Sequence, residues 1–163
     1  MATFESSLKS RLIYIFAISD EWHKDCLKIG ETTLEEDGGD FLAPNDPILQ
    51  KAARDRIDQY TKTAGVAYQL LYIELTIYIK GGTVCSFNDK QVHAVLECSG
   101  IKKKVFDTVK GANEWYCCDL ETAKNAIKAV KNGQMSLKPG DISKELTPIV
   151  FRPEQTKAIE MKL

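Results

Sequence analysis

The chain has 163 residues, 22 Lys+Arg against 23 Asp+Glu, and 44% hydrophobic residues. This is enough for one ordinary domain with a core, with or without a tail, and a net charge near zero excludes a uniformly basic nucleic-acid binder. The longest apolar stretch, near 70–79, is broken by Glu74 and Thr76 and is too short to cross a bilayer. The N-terminal residues lack the apolar core of a secretory signal, which places the chain in the cytoplasm. Five cysteines at irregular spacing without a CxxC fit reduced thiols better than a disulfide framework.

In chain order, "RLIYIFAI" (11–18) and "CLKIGET" (26–32) read as strands joined by a polar loop. The acidic run 34–46, with Gly38-Gly39, reads as a loop, and Asp46-Pro47 opens a helix through Thr61 as cap and first residue. "AYQLLYIELTIYI" (67–79) is the expected longest strand, turned at Gly81-Gly82. Ser86 is the expected cap of a helix to Cys98, closed near Gly100. "EWYCCDL" (114–120) reads as a short strand, followed by a helix over 121–133 with Ala123, Ala126, Ile127 and Val130 on its inner stripe and Gly133 as its stop. Strands and helices thus alternate along the chain.

Several polar residues fall on inward or rim positions. Stepping 100° per residue sets Arg56 near the middle of the apolar face formed by Leu49, Ala52, Ala53, Ile57 and Tyr60, with Arg54 toward the polar side. An arginine there requires an anion or acceptors, either a structural carboxylate or a phosphate in a cleft. Asp89 shares the angle of Leu96, with His93 one turn on. Asp89 is either the capping-box partner of Ser86 or a carboxylate offered to a hard cation such as Mg²⁺. Alternation gives Leu12, Tyr14 and Phe16 one strand face, and Lys28 and Gly30 one face of the next, so that Tyr14 and Lys28 stand side by side with room left by Gly30.

In this order the motifs resemble those of the GIY-YIG nuclease superfamily, in its branch whose second motif reads Lys-Ile-Gly. "LIYIF" is similar to the first motif and "LKIGETT" to the second. Arg56 in "RIDQY" is similar to the helix arginine, "DKQVHAVL" to the carboxylate-and-histidine helix, and "NEWYCCDL" to the closing strand, over roughly residues 11 to 131. Leu12 stands where the first motif has glycine, Lys28 where many members have a second tyrosine, and Asp89 where the usual residue is glutamate. The resemblance implies an α/β (α+β) fold, a small antiparallel or mixed sheet of about three strands flanked by helices. It also implies a DNA endonuclease domain at 1–133 that uses Mg²⁺ or Mn²⁺, with Asp89 as metal ligand. Arg56 would stabilise phosphoryl charge and Tyr14 would position or deprotonate water, with Lys28 beside it and His93 as the competing base. A free tyrosine titrates at about pH 10, so it acts as a base only beside cations. Double-stranded DNA is the expected partner, along Lys102, Lys103, Lys104 and Arg54. The alternatives are a catalytically inactive DNA-binding module on the same fold, and a zinc or thiol site from His23 and Cys26 with Cys117 and Cys118 or Cys98. Residues 134–163 read as a linker at 134–148, then "IVFRPEQTKAIEMKL", which resembles the opening of a superfamily 2 helicase motor. This implies a longer restriction or repair helicase-nuclease. The 163 residues contain no P-loop of their own.

Overall fold

The computed structural model describes residues 10–21, 23–34, 42–61, 65, 67–105 and 114–142. The acidic run at 35–40 and the helicase-like tail fall outside these residues.

The central strand β1 (Arg11–Ala17) is apolar on both faces, and from Leu12 onward it is almost fully buried. Strand β2 (Lys28–Thr33) pairs with it antiparallel on one side, and β3 (Gln69–Leu75) pairs antiparallel on the other. Alternation then divides the core. Leu12, Tyr14 and Phe16 pack with Leu49, Ala53 and Ile57 of helix α1 (Pro47–Thr61). Ile13, Ile15 and Ala17 pack with Val92, Val95 and Leu96 of α2 (Asp89–Cys98) and Ala123, Ala126 and Ile127 of α3 (Leu120–Lys131). The result is α+β: a three-stranded antiparallel sheet between α1 and the α2–α3 pair. The Lys131 ammonium of α3 pairs with the buried Glu74 carboxylate of β3.

Several expectations are corrected. The long strand expected over 67–79 is two strands: the Thr76 N–H still donates to the Arg11 carbonyl of β1 at 2.9 Å, while its carbonyl already accepts from the Phe87 N–H at 3.0 Å, so the chain changes partners at this residue. Beyond that break, β4 (Ile77–Lys80) and β5 (Thr83–Ser86) form a hairpin through Gly81 and Gly82, both at positive φ. The cap of α2 is Asn88 and not Ser86, which is engaged in β5. Asn88 and Gln91 form a reciprocal capping box. Asp89 is the first helical residue, so the capping role weighed for its carboxylate belongs to Gln91.

The inner row of α1 is Leu49, Ala53, Ile57 and Thr61, all buried. Residues four apart advance 400°, so this row drifts away from Arg56 and leaves it exposed on one flank. Arg54 lies about 200° around the helix, on the other flank, with its guanidinium 5.9 Å from the Tyr68 ring centre.

The linker boundary also moves. Residues 134–142 pack on the core: Leu137 is buried, its N–H donates to Ser99 Oγ at 2.8 Å, and Asn125 Nδ2 donates to the Asp141 carbonyl at 3.1 Å.

A third pairing was not expected. Strand β6 (Lys103–Val105) lies antiparallel to β7 (Glu114–Tyr116), and Tyr116 bridges to Leu27 just before β2. Among the described residues no helix is long and apolar enough to cross a membrane.

Candidate active site

The second strand reads Lys-Ile-Gly because three different environments meet along it. Ile29 points into the α2–α3 core. Gly30 stands opposite Tyr14 in the antiparallel register, and the phenol lies across it: a Cβ on residue 30 would be 2.7 Å from Tyr14 Oη. The missing side chain therefore provides the groove in which the ring end passes over β2. Lys28 shares that face and stands opposite Phe16, so it is diagonal to Tyr14 and not beside it as expected.

Strand β2 is an edge of the three-stranded sheet, so side chains from both of its faces gather around one border. There a cleft of about 450 Å³ opens between β2 and α1. Arg11, Glu31 and Thr32 line it from the sheet, and Lys51, Asp55 and Arg56 from the helix. Arg56 Nη1 donates to Gln59 Oε1 at 2.9 Å, and Lys51 pairs with Asp55 at 3.1 Å. Losing its place on the buried face therefore puts Arg56 on the wall of a cleft.

Glu31 connects this cleft to α2. Its carboxylate accepts from Arg11 Nε and, at 2.7 Å, from the Asp89 backbone N–H, while Arg11 Nη1 donates to Thr33 Oγ1 at 2.9 Å. The two acids are pushed apart in strength. Burial raises Asp89 above the usual carboxylate range, and the adjoining Glu31 carboxyl adds to the rise by its hydrogen bond and its charge. Burial would also raise Glu31, but the Asp89 N–H and the Arg11 side chain outweigh it and hold Glu31 low. Adjacent carboxylates with one raised in this way suit a divalent cation that prefers oxygen. Among the described residues no group of three or more His, Cys, Asp or Glu side chains is assembled to hold a metal. Asp89 and Glu31 fit Mg²⁺, which binds through one or two carboxylates and keeps several waters.

His93, one turn after Asp89, has Nε2 2.8 Å from the Ile29 carbonyl, and its ring stacks on Tyr116 at 5.0 Å between centres. A carbonyl only accepts, so Nε2 carries the proton and Nδ1 is the basic nitrogen of the neutral ring. Tyr14 and Lys28 belong to the α1 face of the sheet, whereas Asp89 and His93 approach β2 from the α2 face. Arg11 and Glu31 were missed by the sequence reading. Alternation contained the signal for Glu31, two residues beyond Ile29 on the face toward α2.

The lysine run is divided by β6. Lys103 and Lys104 occupy consecutive strand positions and point to opposite faces, and Lys103 Nζ is 3.8 Å from Glu97 Oε2. The cysteines expected for zinc are also divided. Cys26 and Cys117 meet, Cys118 packs into the opposite core cluster, Cys98 is exposed, and His23 Nδ1 is 2.7 Å from Asp20 Oδ1.

No family model matches the sequence, and no curated protein and no solved structure matches the chain.

Proposed function

We propose that residues 10–142 form a metal-dependent endonuclease domain that hydrolyses phosphodiester bonds of double-stranded DNA, as the motif resemblance implies. The observation that carries this proposal is the cleft at the β2 edge, which gathers Arg11 and Arg56 around Glu31, itself hydrogen-bonded to Asp89. A planar guanidinium offers paired donors to two phosphate oxygens, and Arg56 is exposed where a backbone phosphate can reach it. Its role is to bind the scissile phosphate and to stabilise charge gathering on the phosphoryl oxygens. Asp89, with Glu31 beside it, holds Mg²⁺ or Mn²⁺, and the ion when bound supplies Lewis acidity toward the phosphate. Tyr14, whose hydroxyl end passes over Gly30, orients the attacking water, with Lys28 diagonal to it on the same strand face, and His93 Nδ1 is the second candidate to take a proton.

The tail at 149–163 is proposed to lead into an ATP-driven motor of a longer restriction or repair protein. A crystal soaked in Mn²⁺ tests the metal assignment. Anomalous density within about 2.2 Å of an Asp89 carboxylate oxygen is expected. Density at other surface carboxylates with Asp89 bare would favour the DNA-binding module without catalysis.

A further inference from the structure

Cys26 and Cys117 lie outside the candidate site, 91 residues apart in sequence, and the fold sets them face to face. Leu27 and Tyr116 exchange both main-chain hydrogen bonds, each N–H donating to the other's carbonyl at 2.9 Å. They are therefore a hydrogen-bonded antiparallel pair, and the same register makes Cys26 and Cys117 the adjoining non-hydrogen-bonded pair. Such pairs bring Cα atoms to about 4.5 Å, inside the roughly 4.4–6.8 Å that a disulfide spans. The two Sγ atoms are already 3.6 Å apart.

We infer that Cys26 and Cys117 form an oxidation site, a thiol pair that closes reversibly to a cross-strand disulfide tying the approach to β2 to the end of β7.

The two thiols differ in a way that orders the reaction. Cys26 is buried, and burial first, then its hydrogen bond to Cys117, push its thiol up to about 12, so it keeps its proton. Cys117 is half-buried, the more exposed residue of the two. With a small-molecule disulfide as oxidant, the Cys117 thiolate attacks one sulfur, forming a mixed disulfide and releasing one thiolate. The Cys26 sulfur then attacks the Cys117 sulfur, and its proton passes to the second thiolate as that is expelled. Each cysteine gives up one electron and one proton, and the small disulfide is reduced to two thiols. Cys118 does not compete, because it packs into the opposite core cluster and is itself pushed up to about 12, chiefly by burial.

The test is to treat the full chain, in a Cys98→Ser background that removes the exposed thiol, with oxidised glutathione. Thiols are then counted in denaturant and cysteine peptides mapped. Two thiols should disappear with loss of two hydrogens and no retained glutathione, a Cys26–Cys117 linked peptide should appear, and reductant should reverse both. Stable glutathionylation of Cys117 without the linked peptide would overturn the inference, as would equal thiol loss after a further Cys26→Ser change. If folding of these variants is in doubt, the linked peptide sought in the unmodified chain decides alone.

Discussion

Replacing Gly30 by alanine perturbs the closest approach in the sheet. A Cβ at residue 30 would lie 2.7 Å from Tyr14 Oη, 2.8 Å from Cζ and 3.0 Å from Cε1. Ordinary carbon contacts need about 3.5–4.0 Å, so the phenol must retreat by roughly 0.5–1 Å. Tyr14 is 3% exposed and its ring centre is 5.9 Å from that of Phe16, which leaves little room for the retreat. Overpacking of this kind costs about 1–3 kcal/mol. For a chain of this length each kcal/mol moves Tm by about 2–4 °C, so a fall of about 2–12 °C is expected. Urea unfolding followed by circular dichroism should show a lower midpoint at an unchanged slope. In a Tyr14→Leu background the clash is gone, and alanine in a strand is then favoured over glycine, so the same change should become neutral or stabilising. A neutral Gly30→Ala in the parent, or an equal penalty in both backgrounds, would refute the account of why this strand carries a glycine.

Arg56→Ala should lower DNA cleavage by about 10²–10³-fold, while stability changes by less than about 0.5 kcal/mol because the side chain is exposed. Arg54→Ala, on the other flank of α1, should leave turnover nearly unchanged, and equal losses would place the phosphate elsewhere. Asp89 titrates above its ordinary value near 3.8, first through burial and then through Glu31, so its ionisation opposes folding. Its favourable contribution is present below about pH 3.8 and is lost as pH rises through the raised value. In metal-free buffer Asp89→Asn should therefore gain stability over the parent across that rise and keep the gain at neutral pH, and an unchanged difference between about pH 3 and 7 would contradict the pairing with Glu31. Charge-neutral changes at Lys102 and Lys104 should reduce the slope of log affinity against log salt by about one to two, less than three independent phosphate contacts require. Lys103 is excluded from that sum because it pairs with Glu97; an unchanged slope would move the DNA path away from β6.

The elements carried by strong periodicity were legible in the sequence. The continuous apolar run of β1, the Asp46-Pro47 start of α1 and the stripe of α3 all fall where pattern and caps set them. What was not legible depends on distant partners. Nothing in "YIELTIYI" marks Thr76 as a break, since the break is a change of partner, from Arg11 of β1 to Phe87 just after β5, both distant in sequence. Ser86 and Asn88 are both competent caps, and pairing of Ser86 with Ile77 in the hairpin decides between them. The lysines of β6 carry no strand pattern and are ordered by β7. At the site, helical phase gave Arg56 the right neighbourhood and the wrong degree of burial, because four-residue spacing pulled the packed row to one side. Glu31 lies on the opposite strand face from Lys28 and Gly30, and its role depends on Arg11 and the Asp89 N–H, partners that no local pattern announces.

The most direct measurement of the central claim is nicking of supercoiled plasmid by the purified chain in Mg²⁺ or Mn²⁺, compared with Asp89→Asn under the same conditions and with EDTA. The parent should convert supercoiled to open-circular DNA only with the divalent ion, and Asp89→Asn should lose that activity while melting no lower than the parent in metal-free buffer. A parent that binds the plasmid without nicking it in either ion, or an Asp89→Asn variant that cuts as fast, would contradict the assignment.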